Sequence, residues 1–94
     1  MILINGLLDD TIAISDRGLQ YGDGLFETMA YRAGTIEFID AHLARLMDGC
    51  IRLKIEFAQT EELHNELNVV CHSLADNDAI IKVIITRGSG GRGY

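Results

Sequence analysis

The chain has 94 residues, 48% of them hydrophobic, and carries 14 acidic against 8 basic side chains for a formal net charge of −6. That length suits one small domain with a modest core, and the acidic balance excludes a general nucleic-acid binder, which needs clustered Lys and Arg against phosphates. MILINGLL lacks a basic region and meets Asp9 and Asp10, so it does not read as a signal peptide, and no run approaches the roughly 20 apolar residues of a membrane span; a cytoplasmic protein without membrane partners is expected.

Ile2 to Ile4, Asn5-Gly6 and a stretch ending in TIAI predict a first hairpin, because Asn-Gly adopts the positive φ values of a type I′ turn. SDRGLQYGDG, rich in Gly and Asp, reads as a loop. LFETMAY, a turn at Arg32-Ala33-Gly34, and TIEFI predict a second hairpin. Asp40 is the expected N-cap of a helix whose apolar stripe is Leu43, Leu46, Met47, Cys50 and Leu53. Thr60, Glu61 and Glu62 open a second helix, since acids in the first turn complement the macrodipole; its stripe is Leu63, Leu67, Val70, Cys71 and Leu74. AIIKVIIT is a nearly continuous apolar run of strand length and strand composition. The order predicts a single α+β domain over residues 1–94, with two helices on one face of a mainly antiparallel sheet built from the two hairpins and the later strand.

The closing IITRGSGGRGY holds the candidates for chemistry. Gly88, Gly90 and Gly93 fit GxGxxG, but a dinucleotide site needs a helix to begin there with its N-terminus facing the pyrophosphate. Arg87 and Arg92 stand among residues without bulk, so two guanidinium forks and backbone amides could approach one carboxylate or phosphate; the alternative is a solvated tail. Arg45 lies about 160 degrees from Leu43 on the helical wheel and by pattern alone reads as a solvated charge. Asp16, Asp23 and Glu27 read as structural acids of turns and strand edges. Cys50 and Cys71 lie on the two stripes and read as buried free thiols. His42, His64 and His72 lack metal-ligand spacing, so no metal is expected. Lys54 and Lys82 are the only lysines, and neither is placed like a desolvated amine ready for Schiff-base chemistry; Lys82 should extend its head to solvent.

LING at the start, SDRGLQYGDGLFET at 15–28, AHLARLMDGCIRL at 41–53 and IKVIITRGSGGRGY at 81–94 together resemble the N-terminal part of the fold type IV, branched-chain-aminotransferase-like pyridoxal-phosphate enzymes, and within them the aminodeoxychorismate lyases. The resemblance implies that Arg45 holds the phosphate of pyridoxal 5′-phosphate, reversing the pattern-based reading. It implies that Thr28 takes part in proton handling, that Tyr21 and Phe26 line the substrate pocket, and that Arg87 and Arg92 face substrate carboxylates. The implied reaction is elimination of pyruvate from 4-amino-4-deoxychorismate to leave 4-aminobenzoate, a folate precursor. A homodimer is implied too, because in this group the tyrosine-bearing loop can reach a neighbouring subunit's site. The Schiff-base lysine and the larger cofactor-binding domain of these enzymes lie beyond the stretch that matches, so an N-terminal fragment, inactive alone, is expected. A D-amino-acid or branched-chain aminotransferase of the same group is the nearest enzymatic alternative, and a self-associating domain without catalysis is the other.

Overall fold

A computed structural model describes residues 1–90. The elements run β1 (Leu3–Ile4), β2 (Leu7–Leu8), α1 (Arg17–Tyr21), β3 (Gly24–Arg32), β4 (Thr35–Ile36), α2 (Ile39–Leu53), α3 (Thr60–Leu74) and β5 (Ala79–Thr86). All pairings are antiparallel, β1 with β2 in one small sheet and β4-β3-β5 in the other. The α+β class and the antiparallel pairing are as the sequence predicts.

The larger sheet follows from side-chain alternation, because successive residues of a strand point to opposite faces. Glu27, Met29 and Tyr31 of β3, with Ile81 and Ile85 of β5, are buried beneath the helices. Leu46 and Cys50 of α2 and Leu63 and Leu67 of α3 complete that core. Phe26, Thr28 and Lys82, Ile80 and Ile84 occupy the opposite, exposed face, in the register Phe26↔Ile84 and Thr28↔Lys82. The contact of α2 with β3 requires Gly49, where a Cβ would stand 2.4 Å from Leu25 Cδ1. Tyr31 runs under α3 and its hydroxyl donates to the carbonyl of Ala75 at 2.6 Å. This gives one of the unpaired carbonyls at that helix end a partner.

Five features differ from expectation. The first hairpin forms its own two-stranded sheet, and its second strand ends at Leu8, so TIAI is not a strand. Its turn is as read, with φ of 52° at Asn5 and 84° at Gly6. The returning strand of the second hairpin is only Thr35–Ile36, because Phe38 turns the chain at φ 56°. That same turn starts α2, so Phe38 and not Asp40 holds the N-cap position, and Asp40 lies in the first turn. SDRGLQYGDG contains a helix, α1, making three helices in place of two. Its ends carry ordinary cap chemistry: Asp16 accepts from the Gly18 amide at 2.8 Å, and Gly22 closes it at φ 65°. Such caps are favoured by Asp before and Gly after a helix. Cys50 is buried and Cys71 half-buried, both as free thiols, and burial pushes both thiols up. Among the described residues no helix is long and apolar enough to cross a membrane.

Candidate functional site

The two glycine-bearing loops, 16–24 and 86–89, are fastened to each other. Asp16 accepts from the Thr86 hydroxyl at 2.9 Å, and Thr86 Oγ1 in turn accepts from the Gly88 amide at 3.0 Å. The Arg17 amide donates to the Gly88 carbonyl at 2.9 Å, the Arg87 amide donates to the Asp23 carbonyl at 3.1 Å, and Asp16 and Ser89 form a β-bridge. As far as Ser89, the closing segment is therefore built into the fold and is not a tail.

Side chains reinforce the backbone. Asp23 accepts from Arg17 Nε at 2.9 Å and from Arg87 Nε at 2.8 Å. Two guanidiniums on one carboxylate hold it below its ordinary range, the Arg87 hydrogen bond first and the Arg17 hydrogen bond second. Arg17 also lies over the Tyr21 ring, 4.8 Å from its centroid, a cation–π contact that orients the tyrosine. Arg87 sends Nη1 to the Lys54 carbonyl at 2.9 Å and Nη2 to the Leu53 carbonyl at 2.7 Å. These belong to the end of α2, whose unpaired carbonyls and negative dipole end favour a cation. Tyr21 and Arg87 are thus joined through Arg17 and Asp23.

Arg45 is held differently. Its Nε donates to Glu27 Oε2 at 2.9 Å and its Nη2 to Glu27 Oε1 at 2.8 Å. The side chain is nevertheless 71% exposed, while that of Glu27 is 7% exposed. His42 Nδ1 sits 2.7 Å from the same Oε1. Glu27 is lowered to about 2, by the Arg45 hydrogen bond first and then that of His42, so it is ionised near neutrality and the His42 nitrogen donates to it. One edge of the Arg45 fork is occupied, and Nη1 makes no hydrogen bond to the described residues.

The sequence candidates fall into three places. Tyr21 and Arg87 belong to the fastened loops. Phe26, 58% exposed, and Thr28 lie on the open sheet face, with Lys82 Nζ 4.5 Å from the Phe26 ring centroid; Lys82 is exposed, as expected, and its head lies over that aromatic face. Arg45 lies on the helix side, because the Glu27 that holds it points inward. Arg92, and with it Gly93, lies outside the described residues. Arg45 and Arg87 therefore do not share a partner: they bind different carboxylates, and Arg87 is largely occupied by the fold. Sequence reasoning did not single out Arg17 and gave His42 no partner; Asp23 is a structural acid of a turn as read, whereas Glu27, read in the same way at a strand edge, lies buried in mid-strand with Arg45 and His42 upon it. The available signal was Glu27 itself, a charge in a row with Leu25, Met29 and Tyr31 that the strand period turns towards the helices.

Among the described residues no group of three or more His, Cys, Asp and Glu is placed to hold a metal ion. An open cavity of about 430 Å³ lies against the C-terminal half of α2, lined by Met47, Cys50, Ile51, Ile55 and Phe57 among others, and none of Tyr21, Phe26, Thr28, Arg45 and Arg87 borders it.

The sequence profile of amino-transferase class IV matches residues 24–94. The aminodeoxychorismate lyase of Vibrio harveyi is 38% identical over the whole of this chain, which spans 34% of that protein. The D-alanine aminotransferase of Bacillus licheniformis is 30% identical over 97% of the chain, again 34% of the relative's length. The crystal structure of 4-amino-4-deoxychorismate lyase from Pseudomonas aeruginosa superposes with a TM-score of 0.83 and 49% identity, covering 95% of this chain and 32% of that one. The chain thus spans about a third of the length of the curated relatives it matches.

Proposed function

Because the chain belongs to the class IV aminotransferase family, we propose that residues 1–94 supply the small-domain side of a pyridoxal-phosphate site that cleaves 4-amino-4-deoxychorismate to 4-aminobenzoate and pyruvate. The observation that carries this reading is Arg45: an exposed guanidinium, fixed along one edge by a buried carboxylate, whose other edge is open to an oxyanion. A phosphate fits that donor set, since a planar fork binds it through parallel N–H groups. Identities of 38% and 49% to two lyases, against 35% to a putative branched-chain-amino-acid aminotransferase of Methanocaldococcus jannaschii and 30% to the D-alanine aminotransferase, support elimination over amino transfer by a narrow margin.

Pyridoxal phosphate, when bound, supplies an electron sink for the charge left by proton removal. The chain's own residues bind and orient. Arg45 takes the phosphate. Phe26 and Tyr21 present exposed rings to a flat, cyclic substrate. Thr28, one residue from Glu27 and facing outward, offers a hydroxyl that can hold or pass a proton. Arg87 has four of its donor contacts satisfied within the fold, so contact with a substrate carboxylate is assigned to Arg92. Arg87 then acts by holding the segment that leads to it. Lys54 and Lys82 are both exposed, and neither is assigned the covalent link to the cofactor. That role is left to the length of the relatives which this chain does not span. A homodimer, in which the Tyr21 loop serves the neighbouring site, belongs to the same reading.

A chimera tests it. Residues 1–94 are grafted in place of the matching third of the Pseudomonas aeruginosa lyase and supplied with 4-amino-4-deoxychorismate. Formation of 4-aminobenzoate and pyruvate in equal amounts is expected. A folded, cofactor-loaded chimera that instead transfers the amino group of D-alanine to a keto acid would move the assignment to the aminotransferases.

A further inference from the structure

Glu27 is an unusual residue for its position. It occupies the inward row of β3 between Leu25 and Met29, with 7% of its side chain exposed, where an apolar residue would bury without loss of hydration. Buried carboxylates are costly unless fully partnered. This one is fully partnered: Oε2 receives Arg45 Nε, and Oε1 receives both Arg45 Nη2 and His42 Nδ1.

Resting on the assignment of Arg45 to a phosphate, two opposed effects follow. The charge of Glu27 repels an anion arriving at the same guanidinium. Against this, a free arginine side chain loses much rotamer freedom on capturing a ligand, and one already held does not. The geometry favours the second effect. The guanidinium stands between Glu27 and the open edge, its outer part lies in water where repulsion is screened, and both carboxylate oxygens define its plane.

We propose that Glu27 is a positioning residue for anion capture: it grips Arg45 by the Nε–Nη2 edge, with His42 fixing the carboxylate, so that the Nη1 side is presented ready to a phosphate.

The test is a titration of the protein with inorganic phosphate, followed through the NMR signal of the Arg45 Nε–Hε pair. Glu27→Gln removes a negative charge beside the anion, so electrostatics alone would tighten binding. Positioning predicts the reverse, a weakening of about fivefold to tenfold with loss of the sharp Nε–Hε signal. A folded variant that binds phosphate as tightly as the wild type, or more tightly, overturns the proposal. Should its amide spectrum show that Glu27→Gln does not fold, Arg45→Lys decides, because it keeps the charge at an exposed position but has no fork for two oxygens to grip. A comparable weakening is expected there, and wild-type affinity overturns the proposal. Arg45→Gln tests the underlying assignment: unchanged phosphate binding refutes the role of Arg45 itself, whereas loss in Arg45→Gln without loss in Glu27→Gln sinks only the positioning role.

Discussion

The two faces of β3 are built from the same nine residues and share almost no properties. Inward, Met29 and Tyr31 are closed off by α2 and α3 and by the Ile81–Ile85 row of β5. Outward, Phe26 is 58% exposed and its register partner Ile84 is 62% exposed, with Lys82 lying across the ring. Burial of apolar area stabilises a fold roughly in proportion to that area, so the inward face carries stability and the outward face contributes little to it. Glu27 is the exception that links them. It sits in the inward row and serves Arg45 at the surface.

The largest effect that can break this contrast is at Leu46, which is fully enclosed. Leu46→Ala is expected to cost about 2–5 kcal/mol in urea unfolding; a loss no greater than that of Phe26→Ala would mean that the two faces are not distinct. Next is the seam between the loops. A Cβ at Gly18 would stand 2.3 Å from Thr86 Cγ2 and 2.9 Å from Asp16 Oδ1, inside the network that joins them. Gly18→Ala should cost about 1–3 kcal/mol, as overpacking does, and should shift the amide signals of Gly88 and Ser89 in step with its own neighbours.

Acid sharpens the contrast at Glu27. Its folded pKa of about 2 lies below the ordinary 4.5, so its contribution is complete above about pH 4.5 and fades as pH falls towards 2. The urea midpoint is expected to drop across that window, and Glu27→Gln should flatten the drop. The smallest effect is on the open face, where Phe26→Ala should change stability by no more than about 0.5–1 kcal/mol, most of it from the lost contact with Lys82. A thermal scan with a larger shift would show that something already covers this face.

The helix stripes were legible because each is a periodic signal tested against one large core: Leu46, Cys50, Leu63 and Leu67 are buried as their spacing requires, though Leu53 at the end of α2 is 41% exposed. The strand β5 was legible as a continuous apolar run, of which only the row of Ile81 and Ile85 is buried while Ile80 and Ile84 stay exposed. The short elements were not. α1 is five residues long inside a segment whose glycines mark turns, and its cap signals, Asp16 and Gly22, are the same residues a loop would use. Phe38 displaced Asp40 from the start of α2 because a backbone turn at φ 56°, set by the hairpin before it, outweighs the preference of one side chain for a cap. The arginines divide in the same way. A helical wheel places Arg45 correctly in water but cannot register the buried carboxylate beneath it, which comes from a strand 18 positions earlier. Arg87 reads as a free cation in a glycine-rich loop, and only the end of α2 reveals where its donors go.

The seam between the loops also sets an order in time. Asp16 meets Thr86 across 70 positions and Asp23 meets Arg87 across 64, and contacts so far apart are among the slowest to close. The segment bearing Tyr21 precedes the partners that hold it by the whole of α2 and α3. Its final shape therefore waits on β5, and the helices between must form without its help.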